Sequence, residues 1–260
     1  MNKKIGIIIQ ARMGSTRLPN KIMLDLAGKP VLWHVVERCK KANVDEVIVA
    51  TSINKENDII EKFCKENDYL CFRGNEDDVL KRYYECAKKF DLNTIIRVTG
   101  DCPLISPEII NCAIKKFKEK KVDYMSNVAK RSFPRGLDVE VFSFNTLKKA
   151  NNLAKDKFYR EHVTAFIYNN PKIFKINDLI AEGILKRSDI RICIDTKKDL
   201  NLLTKIYTFL YTGKIIPIEE VIKFLDKNSK LIKMNLESEK EQRNQNIEEN
   251  VKQEFLENEY

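Results

Sequence analysis

The phosphate-binding signatures of the commonest nucleotide folds are missing from this chain. Gly28-Lys29 is followed by Pro30, so there is no G-x-x-x-x-G-K-[ST], and no G-x-G-x-x-G occurs. These absences argue against a Walker-type NTPase and a dinucleotide-binding dehydrogenase. D-x-D is also absent, which counts against a metal-dependent glycosyltransferase that uses a preformed nucleotide sugar. Histidine is scarce, with only His34 and His162, and the seven Cys (39, 64, 71, 86, 102, 112 and 193) form no C-x-x-C pair, so a Cys/His zinc site is not expected. Their odd number and their apolar surroundings read as small reduced core residues of a cytoplasmic protein. No apolar run approaches membrane-spanning length, and the first, Ile5 to Ile9, runs into Arg12 and is too short for a signal h-region. No membrane partner is expected.

With 260 residues, 43% of them apolar, the chain can bury a substantial core. Its net charge of +9 hides an asymmetry. From Asn235 to Tyr260 there are eight Glu against two Lys and one Arg, a charge of −5, which leaves +14 on the rest. A basic body suits a polyanion, either a nucleoside triphosphate or RNA. The RNA reading wants aromatics interleaved in a basic patch, and none is evident, so no nucleic-acid partner is expected. The spacing divides the chain into one domain over 1–232 and an acidic tail over 233–260, either disordered or a solitary solvated helix.

Strand and helix patterns alternate from the start. Strands are predicted at Ile5–Gln10, Glu46–Ala50, Tyr69–Phe72 and Thr94–Val98. Helices are predicted over Val31–Ala42, Asp58–Asn67, Asp77–Phe90 and from Pro107 to about Lys120. The pattern loosens from Asp123 to Pro134. It resumes with a strand at Asp138–Phe142, helices over Ser143–Ala154 and Glu161–Tyr168, and a strand at Ile190–Ile194. Two further helices follow, Thr196 to about Tyr211 and Pro217 to about Asn228. This alternation predicts an α/β fold, a mostly parallel sheet with helices on both faces and a small inserted or edge region.

Three stretches carry chemistry. Residues 10–21, Gln-Ala-Arg-Met-Gly-Ser-Thr-Arg-Leu-Pro-Asn-Lys, leave the first strand where α/β sheets bind ligands. Gly14, Ser15 and Thr16 let backbone N–H groups approach phosphate oxygens, and Arg12, Arg17 and Lys21 neutralise them. The plainer alternative is a basic solvated loop. The second stretch, Arg97-Val-Thr-Gly-Asp-Cys-Pro-Leu104, places Asp101 at a strand's carboxyl end. The third, Arg191-Ile-Cys-Ile-Asp-Thr196, does the same for Asp195, which competes with a helix N-cap role there. Two carboxylates facing a phosphate loop form a candidate Mg²⁺ site, since Mg²⁺ takes one or two carboxylates and completes its shell with water and phosphate oxygens.

With Gly28-Lys29-Pro30, Arg73-Gly, Asp78-Val-Leu, Gly100-Asp-Cys-Pro, Pro134-Arg-Gly-Leu-Asp-Val-Glu140, Arg160-Glu-His-Val-Thr164 and Asp195-Thr…Asp199-Leu, the first stretch resembles the CMP-Kdo synthetase and acylneuraminate cytidylyltransferase family. The resemblance is strongest to its spore-coat polysaccharide biosynthesis F branch and spans residues 3 to 212. It implies a Rossmann-like nucleotidyltransferase, commonly a homodimer, that uses Mg²⁺ and transfers CMP from CTP to a sugar, an acidic one by the family's habit, releasing pyrophosphate. By position, it implies nucleotide contacts from Gln10, Ala11, Arg12, Gly14, Ser15, Thr16, Arg17, Lys21, Arg73 and Asp101. Arg12, Lys21 and Asp101 would be catalytic, and Asp101 and Asp195 the metal ligands. The acceptor side would be built by Arg135, Asp138, Glu140, Arg160 and His162, with Arg135 or Arg160 forked on a sugar carboxylate. Other acceptors, a sugar phosphate or a phosphonate, stay open, as does a non-catalytic basic protein.

Overall fold

The computed structural model describes residues 3–233. Its central sheet has seven strands: β1 (Ile5–Gln10), β4 (Glu46–Ser52), β5 (Leu70–Gly74), β6 (Thr94–Thr99), β7 (Tyr124–Ser126), β8 (Glu140–Ser143) and β9 (Ile176–Asp178). They lie in the order β5-β4-β1-β6-β8-β7-β9. A two-stranded ribbon, β2 (Asp25–Leu26) and β3 (Lys29–Pro30), stands apart. The helices are α1 (Val31–Cys39), α2 (Asp58–Glu66), α3 (Val79–Lys89), α4 (Pro107–Lys120), α5 (Phe144–Leu153), α6 (Lys157–Glu161), α7 (Ala165–Tyr168), α8 (Lys197–Leu210) and α9 (Ile218–Lys227).

Strands β5, β4, β1 and β6 are parallel, as their βα alternation requires. From β1 the chain winds outward to β4 and β5, then returns to lay β6 on the other side of β1. The winding therefore reverses between β1 and β6, where open α/β sheets leave a crevice outside the strand ends. Beyond β6 the polarity changes, for β8 runs antiparallel to both β6 and β7.

Side-chain alternation splits the interior in two. Ile7, Ile9, Val49, Ile96 and Val98 point to the face covered by α1, α2, α4, α8 and α9, whereas Ile8, Ile48, Ala50, Ile95 and Phe142 point to the face covered by α3 and α5. Both faces of the central strands are thus dry, which explains their near-continuous apolar sequences.

The predicted elements are found with several departures, among them the unpredicted edge strand β9 and the β2–β3 ribbon. Ile190–Ile194 is not a strand. Its apolar alternation buries Ile190, Ile192 and Ile194, but its backbone meets only loops, through one bridge between Arg135 and Arg191 and through Ile194 N–H on the Asp101 carbonyl at 2.9 Å. The helix predicted over Glu161–Tyr168 forms only in its second half, as α7: α6 ends at Glu161, and Val163, with a φ of +40°, separates the two. The loose stretch from Asp123 contains β7, an inner strand too short for periodicity to reveal. The acidic tail falls almost wholly outside the described residues. Among those residues no helix is long and apolar enough to cross a membrane.

Gly136 makes the Arg135–Arg191 bridge possible. Its φ is +104°, and a Cβ there would lie 2.7 Å from the backbone of Ile192 and Cys193. Neither the conformation nor the space admits a side chain. Gly136→Ala is expected to cost about 3 kcal/mol of unfolding free energy, read by urea denaturation. A loss within about 0.5 kcal/mol would show that the contact is not binding the two loops.

Candidate active site

Three loops meet at the crevice beside β1 and β6. The first leaves β1 and is pinned from behind: Ala11 N–H bonds the Ala50 carbonyl at 3.1 Å, and Met13 N–H bonds Oδ1 of the buried Asn57 at 2.8 Å. Asn20 turns the chain in the left-handed region at φ 59°, starting a 3-10 turn over Lys21–Met23. Burial of Ile22 holds that turn to the core and fixes Lys21 beside it. The second loop follows β6. A Cβ on Gly100 would sit 3.2 Å from the Gln10 carbonyl oxygen, so the two loops leave the sheet almost in contact.

The third loop is the Arg191–Thr196 segment. Helix α8 is capped by Thr196, whose hydroxyl accepts from Asp199 N–H at 3.3 Å while Asp199 Oδ2 accepts from Thr196 N–H at 2.9 Å. This reciprocal capping box satisfies the helix start without Asp195. The competing N-cap role for Asp195 is therefore taken by its neighbour, and its carboxylate turns into the crevice.

There Lys21 Nζ donates to Asp101 Oδ2 at 2.5 Å and to Asp195 Oδ1 at 2.7 Å. Residues 80 and 174 positions away share one ammonium. Arg191 Nη2 holds the other oxygen of Asp195 at 2.5 Å, and Arg17 approaches Asp195 at 3.4 Å. Thr99 Oγ1 donates to Asp101 Oδ1 at 2.6 Å. Burial disfavours the charge on Lys21, but the carboxylates of Asp101 and Asp195 outweigh it and push its pKa above the usual ammonium range. Burial likewise works against the Asp195 anion. Lys21 and then Arg191 reverse that and hold it well below its ordinary 3.8.

These groups wall a cavity of about 300 Å³ lined by Gln10, Arg12, Gly14, Ser15, Thr16, Arg17, Lys21, Ile22, Thr99, Gly100, Asp101 and Asp195. The half-exposed Arg12 lies at its rim, 3.5 Å from Glu76. Ala11 is buried behind it. Arg73 is not among the lining residues. Its guanidinium staples the ends of β4 and α2, meeting Asp58 and Glu61 at 2.7 Å each, the Ser52 carbonyl at 2.9 Å and the Asn54 carbonyl at 3.0 Å.

None of the five acceptor-side residues lines this cavity. Arg135 and Asp138 lie on the loop bridged to Arg191, with Asp138 forked on Arg131 at 2.7 and 3.1 Å. Glu140 is buried, and its carboxylate takes Arg97, Tyr124 and Thr164. Arg160 forks onto Asp78 at 2.8 and 2.7 Å and also meets Asn151. His162 is exposed, with its ring against Phe158.

The structure adds groups that sequence reasoning left without a role: Arg191, Thr99 and Arg97. Arg97 and Arg191 had a legible signal, a lone cation inside an otherwise apolar run, which must find a partner if the run is buried.

Comparison with known proteins follows the same lines. A family model described as cytidylyltransferase matches residues 6–251. An uncharacterized protein of Methanocaldococcus jannaschii is 41% identical over 233 residues, covering 89% of this chain and 94% of that relative. The spore coat polysaccharide biosynthesis protein SpsF of Bacillus subtilis is 32% identical over 230 residues, covering 86% and 95%. Among solved structures, a cytidylyltransferase from Leptospira borgpetersenii superposes with a TM-score of 0.83 at 32% identity, over 89% of this chain and 97% of that one. A CMP:2-keto-3-deoxy-manno-octonic acid synthetase complexed with CTP superposes with a TM-score of 0.58 at 19% identity, over 79% and 99%, a likeness of fold alone.

The Asp195 pairing has a pH signature. A carboxyl whose folded pKa lies below its unfolded one stabilises the fold above the unfolded value and loses that contribution as pH falls toward the folded value. Asp195→Asn is expected to lower unfolding free energy near neutral pH by about 1–3 kcal/mol. The gap to the wild type should narrow as pH drops below about 4. Urea melts across that range measure it, and a gap that stays constant into strong acid contradicts the pairing.

Proposed function

The chain belongs to the cytidylyltransferase family, and from that premise we propose that it transfers CMP from CTP to a hydroxyl of an acidic sugar, supplying an activated sugar for polysaccharide synthesis. The α/β nucleotidyltransferase fold and CTP-dependent chemistry come with the family; the sugar is the proposal. One observation carries it. The ammonium of Lys21 sits on the carboxylates of Asp101 and Asp195, inside a cavity walled by the cationic loop from Gln10 to Arg17.

In the reaction the sugar oxygen bonds to the α-phosphorus, and the bond from that phosphorus to its β-bridging oxygen breaks. Pyrophosphate leaves with the electron pair, and the hydroxyl proton is released to water. The protein's task is alignment and charge neutralisation. Arg12, Arg17 and Lys21 meet the phosphates, helped by the backbone of Gly14, Ser15 and Thr16. Arg73 braces the end of β4 against the start of α2 behind the crevice. Arg135, on the loop bridged to Arg191 outside the cavity lining, takes the acceptor carboxylate.

The donor set suits Mg²⁺. Asp101 and Asp195 converge on a single point now held by an ammonium, and two carboxylates are what Mg²⁺ takes from a protein. No group of three or more His, Cys, Asp or Glu side chains converges among the described residues, so the other ligands would be phosphate oxygens and water. Asp101 and Asp195 would hold the ion, which supplies further neutralisation of the triphosphate. The name of the Bacillus relative supports the polysaccharide role, and the CTP complex of the octonic acid synthetase supports the nucleotide.

The experiment is a pyrophosphate-release assay of four nucleoside triphosphates against acidic sugars, neutral sugars, sugar phosphates and phosphonates, with and without Mg²⁺. Release is expected with CTP, an acidic sugar and Mg²⁺ together. Asp101→Asn should lower kcat/KM by about 100-fold or more without loss of the folded state. Preference for UTP, or for a sugar phosphate, overturns the assignment.

A further inference from the structure

One ion pair within the central sheet is not used by the chemistry above. Arg97 of β6 and Glu140 of β8 are direct partners across the antiparallel ladder. Glu140 is buried and Arg97 partly so, and both Glu140 oxygens are engaged: one takes Arg97 Nη1, the other takes the Tyr124 hydroxyl and Thr164 Oγ1, the last at 2.7 Å. Burial opposes the Glu140 anion, but Arg97 and then the two hydroxyls overcome it, so the group stays charged with a lowered pKa. One arm of the guanidinium is left over. Arg97 Nη2 donates to Oε1 of Gln10 at 3.2 Å, and Gln10 lines the cavity.

A glutamine amide is acceptor at one end and donor at the other, whereas arginine only donates. Arg97 can therefore bond only Oε1, and this fixes which end of the amide faces the cavity. The amide is held toward the β6 and β8 half of the sheet, away from β4 and β5. We propose that Gln10 presents its NH₂ group to an oxygen of the sugar acceptor and that Arg97, clamped by Glu140, is the positioning residue that selects this orientation. The assignment to the sugar rests on the function proposed above; the clamp itself does not. Glu140 thus acts at one remove, through Arg97, rather than by touching the sugar.

The test pairs acceptor kinetics with a measurement that needs no substrate. Gln10→Leu removes the donor, and Gln10→Glu keeps an acceptor toward Arg97 but turns a carboxylate oxygen to the cavity. Arg97→Lys keeps a positive charge for Glu140 but loses the fork. All three are expected to raise KM for the acidic sugar about 10-fold or more while KM for CTP stays within about 2-fold. Because the two residues act as one unit, Gln10→Leu combined with Arg97→Lys should be no worse than either alone. In parallel, the ¹⁵N order parameter of the Gln10 side-chain amide, assigned by its disappearance in Gln10→Leu, should be high in the wild type and fall in Arg97→Lys.

An unchanged sugar KM, a rise in CTP KM instead, or additive effects in the double variant overturns the acceptor contact. An amide equally ordered in both proteins overturns the clamp. Failure of every acidic sugar to turn over in the wild type sinks the sugar assignment, and the order parameters then decide the clamp alone. If Arg97→Lys does not fold, a Gln10→Glu protein with an unaltered sugar KM is sufficient to reject the contact.

Discussion

A single ammonium shared by two carboxylates organises this molecule's ligand-binding edge. Asp101 and Asp195 arrive on separate loops, and at this separation two anions repel unless something positive lies between them. Lys21 supplies that charge from a third loop, and its own position is set by the burial of its neighbour Ile22. Remove the lysine and the two loops have reason to part. With it, the rim of the cavity is assembled before any ligand arrives. Arg17 and Arg12, half-exposed on the same rim, put positive charge at its opening.

That central contact is itself supported from below by a second row of charges. Arg191 lies between Asp195 and Asp199, meeting the latter at 3.0 Å, and Asp199 closes the capping box of α8 with Thr196. The orientation of Asp195 is thus tied to the start of a 14-residue helix packed on the core. On the opposite face of the sheet, Arg97 and Glu140 repeat the principle with Tyr124 and Thr164 as the outer donors. Buried pairs of this kind add little net stability over apolar residues of the same shape. What they provide here is direction, because a fork bonded on one side has only one way to face on the other.

The parallel half of the fold was legible because each strand is dry on both faces and each helix is amphipathic, so the runs Ile5–Gln10, Glu46–Ser52 and Thr94–Thr99 stand out against their neighbours. The loop from Gln10 to Lys21 and the position of Asp101 followed from the same rule, since parallel strands put their site residues just after the strand. Ile190–Ile194 shows where the rule misleads. Its alternation records burial against α8 and α9 and says nothing of a ladder, which its backbone does not form. Asp195 reached the crevice even so, because Thr196 and Asp199 cap the helix between them. No pattern of residue types distinguishes that arrangement from a capping Asp195 until the side chains are placed. Arg73 and Arg160 were equally opaque: a conspicuous arginine near a ligand edge looks the same in sequence whether it faces solvent or staples two elements with acidic partners close in space.

The change of polarity after β6 explains why the segment bridged to the third loop of the crevice precedes its strand instead of following it. In a parallel sheet the ligand edge is built by residues that leave the strands. Strand β8 runs the other way, with Glu140 opposite Arg97 and Ser143 opposite Thr94, so its first residue rather than its last lies nearest that edge. The segment entering β8, from Pro134 to Val139, is consequently the one placed beside the loop after β6. Its backbone confirms the placement: Arg135 bridges Arg191, and Ile194 of that same strip bonds the Asp101 carbonyl. One inverted strand brings the segment entering β8 beside an edge that the parallel βα units alone would have furnished only with loops leaving their strands. It also sets Arg97 against the buried Glu140, and Nη2 of that paired guanidinium donates to Gln10 in the cavity wall.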